Sequence, residues 1–463
     1  MQNSRTPLFR NTASRPSVAR WFWWPLRVFV IYISGTLLLH LFGPVVYPDD
    51  ANTLDTVCFI IAAMAFFAMG YSGGRSVPAP SSPSRALLGF MQIMFRVGVI
   101  AACVLGGLIL VEGIRNGVSL ESIINPGTRY RETMTAAREY VDGSTSMLGQ
   151  LLVLLAPLSW LAIPIGLVRI RSLSRTMQIV VLTGFCLPML STLLALGTFK
   201  RTGDATVLVA STVALMACRR ELRMKTLKWG MAVGAVAFLS FFGFHQYSRL
   251  EAYDATGIET LGQMQLDRDS FVFKVLGQDA GTGAALALSY MSQGYYPLGL
   301  CLQLPFEWTR GLGHSFAAMG YAGQYLGATD VIFDTYPLRL EALSGHSGLQ
   351  VWHTIFPWLA SDLTFPGSLL FMGLLGWFYA RVWMEATLYL NPVSIAVFSY
   401  LNIMLLFVPC NNQLFQQRES AIAMYGILLL WVCCHKALNN PFAIDFITNA
   451  SYARRLKQNR PTG

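Results

Sequence analysis

Residues 176–218 read TMQIVVLTGFCLPMLSTLLALGTFKRTGDATVLVASTVALMAC, two apolar runs that meet at a short polar break from Thr198 to Asp204. Runs of this kind set the fold. A bilayer demands about 20 consecutive apolar residues per helix, and the chain supplies such runs near 28–46, 54–72, 90–112, 147–168, 176–197, 205–218, 227–246, 366–384, 392–410 and 420–435. The run 205–218 is short and draws on its flanks, and 281–304 is apolar enough for an extra span or a re-entrant pair. The expected architecture is all-α: a polytopic integral membrane bundle of about 10–12 transmembrane helices over 1–463.

Composition points the same way. The 463 residues are 54% hydrophobic and 13% charged, with a mean hydropathy of +0.47, which excludes an ordinary soluble domain. No cleavable signal peptide is expected, because Arg5, Arg10, Arg15, Arg20 and Arg27 precede a first span long enough to cross. Five arginines without an acid hold the amino terminus inside. Alternation then places Arg75, Arg85, Arg169–Arg175, Arg219–Lys228, Arg381 and the basic tail on that side too, so 21 of 34 Lys and Arg are inner, against twelve outer and Arg96 within a span. The net charge of +10 is therefore a topology signal with attraction to anionic membrane lipid, and calls for no nucleic acid. Lys200 and Arg201 fall on the outer side, where cationic side chains usually meet an anion.

All eight cysteines lie in or beside apolar runs without CxxC spacing, and read as small core residues. Cys433, Cys434 and His435 are neighbours, yet successive side chains on a helix diverge by about 100°, which does not suit one metal site. No HExxH, Walker or GxGxxG pattern occurs, so no metal, nucleotide or other cofactor is expected.

Two outer segments interrupt the spans, 113–146 and 247–362. The first carries Arg115, Arg129, Arg131 and Arg138. It reads either as a solvated amphipathic helix with Glu132 and Glu139, or as a phosphate or sugar site, since arginine offers a planar fork of donors. The second holds 11 of 24 acidic residues, three of six histidines, and YMSQGYYPLGLCLQLPFEWTRGLGHS at 290–315. Tyr290, Tyr295, Tyr296, Phe306 and Trp308 suit an interfacial aromatic belt; mixed with Gln293, Gln303, Glu307, Arg310 and His314 they suit a carbohydrate equally. Further on, His346, His353 and Asp362 approach the span near Phe365. They read as a general base with its orienter, or as hydrogen-bonded helix-end residues.

The stretches 290–315 and VWHTIFPWLASDLTFPGSLLFMGLLGWFYARVW at 351–383, with KRTGD at 200–204 before a short helix, resemble the O-antigen polymerase (Wzy-type) family of oligosaccharide repeat-unit polymerases. The resemblance covers mainly 195–385. It implies a GT-C-like inner-membrane glycosyltransferase with periplasmic loops at 113–146 and 247–362 and both termini cytoplasmic. Such an enzyme would transfer a growing glycan from undecaprenyl pyrophosphate to the terminal sugar of a new lipid-linked repeat unit, with a chain-length regulator protein as a candidate partner. The family's R-x10-G pattern in the large outer loops is fitted here by Arg138 and Gly149, a spacing that the 40 glycines make common.

That chemistry assigns roles. Fixed cations stabilise the leaving pyrophosphate, for which Lys200, Arg201, Arg249 and Arg310 are the candidates, with Arg201 counted among the catalytic residues. Arg129, Arg131, Tyr295, Trp308 and His314 are candidates for glycan binding. His353 or Asp362 takes the acceptor proton, with Glu307 and His314 next. An O-antigen ligase, sharing the donor but not the acceptor, is the alternative. A secondary transporter is the non-enzyme reading, supported by Arg96 within a span and by helix-breaking glycines, and opposed by the lack of an inverted repeat and by how few paired charges lie inside spans.

Overall fold

The computed structural model describes residues 21–48, 51–76, 79–115, 147–196, 200–219, 263–348 and 351–448, and scattered positions between 229 and 247. Arg129, Arg131, Arg138 and Arg249 lie outside the described residues, as does most of the segment 113–146.

The protein is all-α. Its described helices are α1 (Trp24–Phe42), α2 (Thr53–Gly73), α3 (Arg85–Arg115), α4 (Met147–Val168), α5 (Arg175–Leu196), α6 (Lys200–Cys218), α7 (Phe271–Leu276), α8 (Gln278–Tyr290), α9 (Tyr295–Cys301), α10 (Phe316–Leu326), α11 (Tyr336–Ser344), α12 (Ile355–Tyr389), α13 (Pro392–Phe407), α14 (Arg418–Cys434) and α15 (Pro441–Thr448). The described strands are two residues each, Val45–Val46 paired antiparallel with Gln265–Leu266. Nine of the ten expected apolar runs coincide with described helices, and 227–246 is described only at scattered residues. Among the described residues five helices, α1, α2, α3, α5 and α12, are long and apolar enough to cross a membrane; α13 and most of α4 are shorter apolar helices. Two others depart from the expected run for a visible reason: α6 opens on Lys200, Arg201 and Asp204, and α14 on Arg418 and Glu419.

Helix α12 packs along α2 through glycine. A Cβ on Gly70 would fall onto the Gly373 carbonyl, and one on Gly376 onto that of Phe67. Small residues let two backbones approach where apolar burial gives little drive, the usual device between helices in lipid. Polar side chains tie further helices: Tyr379 on α12 donates to Asn402 on α13, which donates to Ser211 on α6 (2.8 Å). One bundle end is rich in loops, with α7–α11 and the α13–α14 link. At the opposite end Glu385, fully buried, accepts from Arg381 (3.1 Å), Ser394 (2.6 Å) and Trp431 (3.2 Å). Its charge is thus compensated where an isolated one would be costly.

Helix α12 is broken at Thr364, whose φ of 67° and ψ of 166° are foreign to a helix. A β-branched residue there costs on the order of 1–3 kcal/mol. The side chain offsets part of this by capping the second half, its Oγ1 accepting from Gly367 N at 3.3 Å, with Pro366 harmless in that first turn.

The eight cysteines are free. Contrary to the expectation of core residues throughout, Cys58 and Cys433 are exposed, on the outward faces of apolar helices α2 and α14.

Candidate functional site

The link 408–417 between α13 and α14, VPCNNQLFQQ, crosses the loop-rich end and holds two polar groups side by side. Gln413 donates to Asp204 Oδ1 at 3.1 Å, and its neighbour Asn412 donates to the His314 carbonyl. Asp204 belongs to the first group and His314 to the second. Consecutive residues, about 3.8 Å apart at Cα, therefore join them.

The first group sits where α6 begins. Arg201 donates from Nη2 to Glu419 Oε2 in the first turn of α14, with side chains 19% and 17% exposed. Asp204 is buried one turn below Arg201 on the same helix. Lys200 lies within range of the charges of Asp204 and Glu419. Two cations thus face two carboxylates. Arg201, Asp204 and Glu419 line the polar end of a cavity of about 80 Å³ whose walls come from α3, α4 and α5, including Leu105, Ile109, Ile163, Phe185 and Met189, with Lys200 next to Arg201 in sequence but not in the lining. Tyr400 closes one side, stacked on Trp160 at 4.0 Å.

In the second group Asp362, near the end of the first half of α12, is held by four donors. Thr309 Oγ1 (2.6 Å) and Gly313 N (3.0 Å) reach Oδ1; His314 N (2.8 Å) and His314 Nδ1 (2.9 Å) reach Oδ2. A carboxylate can only accept, so Nδ1 carries the hydrogen, and in the neutral form of the ring Nε2 is the acceptor. Nε2 meets the Tyr425 hydroxyl of α14 at 2.9 Å. The order carboxylate, imidazole, hydroxyl is that of a general base held by an orienter. His314 is about one-third exposed, so its ring can be reached from outside.

The expected residues divide between these places. Lys200, Arg201, Asp362 and His314 belong to the two joined groups. His353 does not reach Asp362: it lies before α12, 1% exposed, with neither ring nitrogen hydrogen-bonded, its ring 5.2 Å from that of His346 and perpendicular to it. Tyr295 is fully buried, its hydroxyl 2.9 Å from Thr36 Oγ1, so its ring offers no open face to a sugar. Trp308 is 62% exposed and remains available. Arg310 is exposed and pairs with Asp330 at 3.5 Å, while Glu307 pairs with Arg339 at 2.8 Å. Thr309, Asn412, Gln413, Glu419 and Tyr425 escaped the reading of the sequence. The one available signal was the run of carboxamides NNQLFQQ at 411–417, too polar for an idle link between apolar helices.

Burial sets the behaviour of the histidine pair. It holds the His346 imidazole down to about 4, and pushes His353 well below the ordinary range, with the neighbouring His346 adding to the effect. Between pH 6.5 and 4 the unfolded chain therefore binds more protons than the folded one, so stability is lost as pH falls. His346 alone should remove about 3 kcal/mol by pH 4. Thermal unfolding of detergent-solubilised protein between pH 7.5 and 4.5 checks this, with a shallower slope expected for His346→Leu.

Among the described residues no cluster of three or more His, Cys, Asp or Glu side chains could hold a metal ion. No protein-family model matches the chain, and no curated protein or solved structure matches it.

Proposed function

We propose that the protein is a membrane glycosyltransferase that polymerises undecaprenyl-pyrophosphate-linked repeat units into O-antigen or a related surface polysaccharide. The observation that carries this reading is a cavity walled by apolar helices and ending in Arg201, with Lys200 beside it in sequence, joined through Gln413 and Asn412 to an imidazole held by a carboxylate. An apolar chain suits the walls, its pyrophosphate the cations, and an acceptor hydroxyl the imidazole. In the reaction the acceptor oxygen attacks the anomeric carbon of the growing glycan. The bond from that carbon to the pyrophosphate oxygen breaks. The hydroxyl proton passes to His314 Nε2, where the Tyr425 hydroxyl now sits, and Asp362 stabilises the charge that the ring gains. Arg201 and Lys200 stabilise the leaving pyrophosphate. Their place at the amino-terminal end of α6 adds the positive end of its macrodipole.

This reading takes the chain as a GT-C-like bundle of ten to twelve spans in a bacterial inner membrane, with both termini cytoplasmic and the loop-rich end periplasmic. Leu343, 71% exposed on α11, tests the orientation. In a background without native cysteines, Leu343→Cys should react with an impermeant thiol reagent once the outer membrane is permeabilised. Labelling only after inner-membrane rupture would invert the topology and remove the site from the periplasm.

Deletion followed by gel analysis of surface glycan tests the activity. A lost ladder with one repeat unit kept on the core is expected. Loss of that single unit as well would assign the chain to ligation.

A further inference from the structure

The Arg201 that lines the cavity is already neutralised together with its neighbour Lys200, because the two face Asp204 and Glu419. A free phosphate group could not simply add to it. The two carboxylates differ in how firmly they are held. Asp204 is 8% exposed and fixed by Gln413. Glu419 lines the same cavity, is half-buried with its side chain 17% exposed, and accepts a hydrogen bond from Arg201. It also stands in the first turn of α14, where the helix dipole favours its negative charge even after it lets go of Arg201.

We infer that Glu419 is a specificity-determining residue: a built-in counterion that a lipid pyrophosphate displaces from Arg201 and that a singly charged phosphodiester does not. The inference rests on the anion site proposed above. Its physical basis is an exchange. Replacing one carboxylate charge by one phosphodiester charge leaves the Coulomb energy of the mouth nearly unchanged, while the incoming headgroup still loses its hydration. Replacing it by a pyrophosphate, with at least two charges and a fork of oxygens for the guanidinium, gains an interaction the carboxylate lacked. In a bilayer, phosphodiester headgroups vastly outnumber any lipid-linked pyrophosphate. An open pair of cations beneath an apolar cavity would be filled by ordinary phospholipid; a masked pair is not.

The test uses the purified full chain in neutral detergent, titrated in parallel with farnesyl pyrophosphate and with phosphatidylglycerol and read by native mass spectrometry. Wild type should prefer the pyrophosphate. Glu419→Gln, which keeps a hydrogen-bonding group but removes the charge, should bind phosphatidylglycerol about tenfold more tightly and lose most of the preference. If Glu419→Gln folds poorly, Glu419→Asp reads the same ratio, since its carboxylate reaches less far; an intermediate ratio supports the inference and an unchanged one overturns it. Arg201→Ala separates the two levels of the argument. If it abolishes pyrophosphate binding while Glu419→Gln leaves the ratio at the wild-type value, the anion site stands and the counterion role is wrong. If Arg201→Ala binds pyrophosphate as wild type does, the anion site itself is wrong and the inference falls with it.

Discussion

Arg201→Ala is expected to abolish the polymer ladder, with transfer slowed by about 100-fold or more, the usual cost of removing a fixed donor from a developing anion. Arg201→Lys should retain part of the activity, because the charge survives and the bidentate fork does not. Removing Arg201 also leaves Glu419 and Asp204 with Lys200 as the remaining cation of the cluster. A broken buried pair costs about 3–5 kcal/mol, less here because both partners keep some exposure. Loss of polymer through misfolding must therefore be told apart from loss through chemistry. The double variant Arg201→Gln, Glu419→Gln removes opposite charges together and keeps a hydrogen bond, so it should accumulate normally and still make no polymer. Full-length polymer from Arg201→Ala at normal abundance would reduce the Arg201–Glu419 pair to a structural tie between α6 and α14.

Removing the proposed base should be as severe. His314→Gln and Asp362→Asn are each expected to slow turnover of purified lipid-linked repeat units by about 100-fold or more while donor binding persists. His353→Ala should behave differently. It empties a buried site that makes no hydrogen bond, so it should lower stability and leave turnover per folded molecule close to wild type. Wild-type turnover from both His314→Gln and Asp362→Asn would take the pair out of the chemistry.

Hydrophobic runs made the helices legible. They are long, closely spaced and set by composition, and even the short run at 205–218 appears as the body of α6. Lys200 and Arg201 were legible as well, because charge beside an apolar run stands out. The pairing of His314 with Asp362 was not. They are 48 residues apart, and their meeting depends on the turn around Thr309 and Gly313 folding back onto the break in α12. His353 stood nearer to Asp362 in sequence, but α12 begins between them and carries Asp362 away. Glu419 was hidden differently. A single acid at the mouth of a span resembles any solvated helix start, and its meaning depends on Arg201, 218 residues earlier.

The break at Thr364 divides α12 into two pieces with different obligations. The nine residues before it carry Asp362 and follow the loop-rich end; those after it are bound to α2 through the glycine seam and to α13 and α14 through Glu385. The break uncouples one task from the other within a single stretch of chain. The carboxylate's direction is thus set by a piece with its own axis, while Ile355, Phe356 and Leu359 keep that piece in the same apolar core as the far one.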